Sequence, residues 1–188
     1  KKALKMSMEQ HPQNIELMLL QSEIMLFDGS YNDAQVLLEK IEKLSPENEE
    51  IFLQRANISS KQKDHIKAIE FLLKALDITD EPIEVWNLIG MEYLFLEDYI
   101  KAKDFFLRCV RENSMDYQSL YNLLYCHDQL EENIEAINTL NRILETNPYS
   151  EVAWHQLGKL YAKINKYEEA LSAYEFAIIS DDTFTGAY

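Results

Sequence analysis

Glycine and proline are scarce, four of each in 188 residues, so the chain has few places where a helix must stop or the backbone must turn left-handed. That scarcity excludes collagen-like and turn-rich all-β organisations and leaves room for long helices. It equally excludes a glycine-rich phosphate-binding loop. Two cysteines cannot form the disulfide framework of a small secreted domain. Cations are also few: 18 Lys and Arg stand against 33 Asp and Glu, for a net charge of −15. Only the first 14 residues carry a positive balance. A surface this negative repels phosphate backbones and anionic headgroups, so nucleic acid is excluded as a partner and membrane surfaces are poor ones. No stretch approaches the roughly 20 apolar residues of a membrane helix, so membrane insertion is not expected. No signal peptide is visible, which points to the cytoplasm. The chain begins with Lys1 and not Met, so it reads as a piece of a longer protein, and a removed signal stays open.

What is present is apolar material in a strict period. The chain is 47% hydrophobic and 11% aromatic, enough to bury a core. Trp154, Leu157, Gly158 and Tyr161 are followed by Ala170 and Tyr174. Sixty-eight residues earlier stand Trp86, Ile89, Gly90 and Tyr93, then Ala102 and Phe106. Steps of 34 place an alanine at 34, 68, 102, 136 and 170, and a large apolar residue at Met18, Phe52, Trp86, Leu120 and Trp154. Full repeats fall at 15–48, 49–82, 83–116, 117–150 and 151–184. Residues 1–14 fit the second helix of an earlier repeat, with Leu4 in the aromatic place and Pro12 in the closing turn, and 185–188 open a further one.

The spacing i, i+3, i+4, i+7 puts the first four signature places on one stripe of a helix, facing a stripe on the second helix that carries Ala170, Tyr174 and Ala177. Small residues at Gly90 and Gly158 let the partner helix and its alanine approach. Asp28-Gly29-Ser30 and Asn165-Lys166 supply turns between the helices. Two repeats depart from the pattern. Arg55 and Ser59 replace apolar and tyrosine places in the second, whose first helix is therefore expected to be the least firmly packed. Leu124 and His127 take the glycine and tyrosine places in the fourth, which is expected to splay that pair or shift its register.

The signature W-x2-L-G-x2-Y with its later alanine and aromatic resembles the tetratricopeptide repeat, and the resemblance covers essentially the whole chain. It implies an all-α fold, a right-handed superhelical solenoid of antiparallel helix pairs, in one array spanning 1–188. It further implies a protein-interaction scaffold whose concave wall, made by the first helices, takes a peptide or protein partner. Carried over place by place, that wall holds Glu16, Glu50, Glu84, Asn87, Met91, Tyr121, Tyr125, His155 and Lys159, beside places such as Leu19, Glu23, Leu26, Leu53 and Asn57. The lysines of a carboxylate clamp are missing from the matching places. The alternative is a regulatory or targeting array attached to an enzyme or sensor outside this sequence. Apolar residues on the last helix, Leu171, Phe176, Ile178 and Ile179, suit a helix that another repeat covers, so the array is expected to continue and its uncapped ends to allow end-to-end self-association.

Residues with chemistry of their own are read structurally. Cys126, His127 and Asp128 are helix neighbours about 100° apart and cannot form a relay. Cys109 and Cys126 occupy small apolar places and are too far apart to bridge. The four histidines lack metal-ligand spacing, and the acid pairs Glu131-Glu132 and Glu168-Glu169 fit helix starts. No catalytic residue, metal site or cofactor is expected, and the chain is not read as an enzyme.

Overall fold

The computed structural model describes residue 11 and residues 13–180. Most of the segment 1–14 expected to hold a helix, and the repeat start at 185–188, lie outside them. Among the described residues there are ten α-helices and no strand. They fall in two compact units that divide within the turn of the third repeat, at Asp98 and Tyr99. The first unit holds α1 (Ile15–Phe27), α2 (Tyr31–Leu44), α3 (Glu49–Lys61), α4 (His65–Leu76) and α5 (Pro82–Phe95). The second holds α6 (Tyr99–Glu112), α7 (Tyr117–Gln129), α8 (Asn133–Thr146), α9 (Glu151–Lys163) and α10 (Tyr167–Ser180).

First helices, α5 excepted, start on side-chain caps. Asn14 accepts from the Leu17 amide at 3.0 Å, Asn48 from Glu50 at 3.0 Å, Asp116 from Ser119 at 3.1 Å and Ser150 from Ala153 at 3.3 Å, each satisfying an amide the helix cannot. They end alike. Gly29, Lys63, Glu97, Glu131 and Asn165, 34 residues apart, all adopt positive φ between 57° and 77°. The residue after each donates its amide back to the carbonyl five residues earlier, as Glu132 does to His127 at 2.8 Å and Lys166 to Tyr161 at 2.9 Å. This left-handed closure turns the chain into the second helix. Only one of the five places spends a glycine on it.

In the first, second, fourth and fifth repeats the second helix folds back along the first, and in the first unit α3 packs against both α2 and α4. The five register alanines are the tightest points, none more than 3% exposed. The glycine place works somewhat differently from the expectation. A Cβ on Gly158 would meet the Tyr174 ring at 2.7 to 3.0 Å, so the aromatic of the second helix, not its alanine, occupies the space. Trp154 stacks on Phe176 with centroids 4.7 Å apart, and its indole donates to the Pro148 carbonyl at 2.8 Å.

The expectation of a weak second repeat is overturned. Its first helix, α3, buries Ile51, Phe52, Gln54, Ala56, Ile58 and Ser59, more than any other described helix. Arg55 donates to Glu42 at 2.8 Å and lies 5.7 Å above the Phe71 ring, so its charge is paired while its stem packs. Ser59 returns its hydroxyl to the Arg55 carbonyl at 3.0 Å. In the fourth repeat α7 and α8 approach each other along less of their length than α9 and α10 do, as Leu124 at the close-contact place requires.

Candidate functional site

Within the first unit the first helices enclose a cleft of about 370 Å³. Its wall is built from Glu23 and Leu26 of α1, Glu50, Leu53, Gln54 and Asn57 of α3, and Glu84, Leu88 and Glu92 of α5. Glu84, Leu88 and Glu92 are four residues apart and so lie on one helix face. Of the wall residues anticipated from the repeat register, Glu50 and Glu84 line this cleft, with Glu23, Leu26, Leu53 and Asn57. Glu16, Asn87 and Met91 do not. Register reasoning missed Gln54, Leu88 and Glu92, which sit one place further round the helix than the stripe it followed.

The cleft is short of positive charge. Glu92 is committed to His65, whose Nδ1 lies 2.7 Å from its carboxylate and whose ring stacks on Phe95 at 5.0 Å. Gln54 donates through Nε2 to Glu50 at 3.0 Å and to the Leu19 carbonyl at 3.3 Å. Burial pushes the Glu50 carboxyl above the ordinary glutamate range, the Gln54 bond opposes this, and the charges of Glu23, Glu49 and Glu84 add to the rise. The cleft is therefore an acidic pocket with apolar walls.

In the second unit the first helices carry rings. Tyr121 and Tyr125 on α7 are 45% and 49% exposed. Tyr125 meets the edge of Tyr99 with centroids 6.1 Å apart. His155 and Lys159 on α9 are exposed, the histidine ring 5.7 Å from Tyr174. Lys163 of α9 is bonded to Asp128 of α7.

The residues that tempted a catalytic reading separate. Cys126 is buried and free, its thiol pushed up to about 12 by burial. Burial raises Cys109 likewise. His127 is buried, with Nδ1 2.9 Å from Glu132, and Glu132 also takes Lys103 at 2.5 and 2.7 Å. A histidine, a carboxylate and an ammonium thus stand where the repeat usually carries one tyrosine. Asp128 points instead to Lys163. Among the described residues no cluster of three His, Cys, Asp or Glu could hold a metal ion, and no helix is long and apolar enough to cross a membrane.

A family model described as tetratricopeptide repeat matches residues 49–82, 83–114, 117–150 and 152–178. Among curated proteins the chain is similar to anaphase-promoting complex subunit 3 of Schizosaccharomyces pombe, 27% identical over 138 residues, which are 73% of this chain and 21% of that protein. It is also similar to BBSome complex member bbs-4 of Caenorhabditis elegans, 25% identical over 176 residues, 94% of this chain and 38% of that one. The chain thus spans well under half the length of these relatives. Among solved structures it resembles YrrB, described as a TPR protein with an unusual peptide-binding site, with a TM-score of 0.65, 18% identity and coverage of 95% of this chain and 92% of that one. It also resembles MamA from Desulfovibrio magneticus RS-1, with a TM-score of 0.63, 16% identity and coverage of 91% and 97%.

Proposed function

Because the chain belongs to the tetratricopeptide repeat family, whose arrays are protein-interaction scaffolds, we propose that it binds an extended segment of a partner protein along its first helices. The observation that carries this reading is the cleft between α1, α3 and α5, where charged, amide and apolar side chains converge in a hollow of about 370 Å³. A surface built only for solubility has no need of such a hollow. The half-exposed Tyr121 and Tyr125 supply a second anchor, since tyrosine offers rigid contact area and a hydroxyl. Glu16, Asn87 and Met91 would flank a segment bound to the first unit, and His155 and Lys159 one bound to the second. The division into one array with the repeat boundaries given above, and a cytoplasmic setting, belong to the same proposal.

Two relatives are by name members of multiprotein complexes. This favours a second form of the same reading, in which the repeats are the docking part of a larger protein or assembly.

Selection of dodecapeptides from a random library against the protein tests the proposal. Binders should be lost on Asn57→Trp, which fills the cleft, and kept on Glu70→Arg, on the second helix of the same repeat. Binders indifferent to Asn57→Trp and to Tyr121→Ala would refute it.

A further inference from the structure

Resting on the reading of the first-helix face as a peptide surface, we propose that the cleft of α1, α3 and α5 is an arginine subsite. It takes the guanidinium of a partner segment, with Glu23, Glu84, Glu50 and the Gln54 side-chain oxygen as acceptors. The cleft lining contains four glutamates and no lysine or arginine. Among the described residues no cation pairs with Glu23, Glu50 or Glu84.

Acidic residues alone would describe a solvated face. Gln54 adds the independent observation. It is 6% exposed, and its Oε1 is buried without a donor. Both amide hydrogens already have acceptors, on Glu50 and on the Leu19 carbonyl. Rotating the amide by half a turn does not help, because its oxygen would then face the Glu50 oxygen. In either orientation this side chain of the cleft wall keeps an acceptor without a donor, and buried acceptors are rarely left so.

The donor's shape follows from the spacing. The carboxylates do not converge as the ligands of a metal ion would. A guanidinium is planar and carries five N–H donors, so it can serve several separated acceptors at once. Its methylene stem suits the apolar walls at Leu26, Leu53 and Leu88, as long cationic side chains lie along apolar surface with the head group on acids. The Glu50 carboxyl, pushed up first by burial and further by the charges of Glu23, Glu49 and Glu84, agrees with this, since a cation beside it favours its charged form.

The test uses the dodecapeptides selected on the intact protein. Arginine should recur at one position, and its replacement by citrulline, which keeps the shape and removes the charge, should weaken binding at least tenfold. Glu84→Gln, at an exposed place, should weaken the arginine peptide severalfold at unchanged melting temperature, and so should Gln54→Met if that variant folds. The citrulline effect should shrink in Glu23→Gln/Glu84→Gln. Equal binding of arginine and citrulline peptides that still respond to Asn57→Trp would overturn the subsite and leave the peptide face standing. Equal binding of lysine and arginine peptides would overturn the guanidinium assignment. Peptides indifferent to Asn57→Trp would overturn the subsite, and peptides indifferent to Tyr121→Ala as well would remove the underlying reading with it.

Discussion

Gln54 donates an amide hydrogen to Glu50 at 3.0 Å, one turn earlier on α3, while its own side-chain oxygen stays without a donor. The pair holds a carboxylate where burial and three neighbouring acids disfavour it. A glutamate whose folded pKa lies above its unfolded value contributes stability below the unfolded pKa and loses it as pH rises through the folded one. At pH 7 Glu50 is therefore a liability. Glu50→Gln keeps the bond to Gln54 and removes the charge, so its melting temperature at pH 7 should rise by about 2 °C. The gain should fade as pH falls through the raised folded value and be gone by about pH 4.5. A lower melting temperature at pH 7 would contradict the crowding.

Close packing at the ends of repeat five makes a steric prediction. Gly158→Ala puts a methyl 2.7 Å from the Tyr174 ring. Overpacking costs about 1–3 kcal/mol, and the helix propensity gained returns only about 1 kcal/mol, so the variant should be less stable in urea. Tyr174→Leu in the same molecule should relieve it. Ala170→Leu, at a place 3% exposed, should cost about 1–3 kcal/mol with no propensity gain to offset it.

Left-handed turns give the opposite sign. Glu131 holds φ at 58°, a conformation that strains residues with a Cβ. Glu131→Gly should stabilise by about 0.5–1 kcal/mol, less than the full strain because glycine also loosens the unfolded chain. Destabilisation on urea titration would show that the Glu131 side chain does more than close the turn.

His127 predicts a pH response. Its folded pKa is lowered, chiefly by burial, with Glu132 pulling the other way. The unfolded chain thus binds the proton more readily, and stability present above about pH 6.5 is lost as pH falls through the lower folded value. Glu132 is itself lowered, mainly by its bond to Lys103, so its contribution fades only in more acidic solution, below about pH 4.5. The urea midpoint should fall between pH 7.5 and 5.5. In His127→Phe the fall over that window should be smaller. An equal fall in both would clear His127 of the effect.

The fold was legible where one residue decides a place. An alanine every 34 residues fixed the helix pairing because nothing larger fits there, and all five are buried. Polar replacements were harder to read. Arg55 looks like a packing defect until Glu42, thirteen residues back on another helix, and Phe71 pair with it. His127 likewise depends on Lys103 through Glu132, a partnership between helices α6, α7 and the start of α8. The cleft was half legible. Glu50 and Glu84 follow from the repeat register, whereas Gln54, Leu88 and Glu92 depend on how far each helix is rolled, which a one-dimensional register does not state.

The central claim is that the first helices bind a partner segment, with the cleft as the anchor in the first unit and Tyr121 and Tyr125 as the anchors in the second. A truncated anchor should cost at least about 2 kcal/mol of binding. Tyr121→Ala, whose ring is half exposed, should do so with little change in stability. Tyr125→Ala should also lose an edge contact with Tyr99, worth about 0.5–1.5 kcal/mol. Amide hydrogen exchange of the protein with and without a selected dodecapeptide measures the claim most directly. Slower exchange in α3 and α5, or in α7, with α4 and α8 unchanged, is the predicted result. Slowing confined to the second helices α4 and α8 would contradict it.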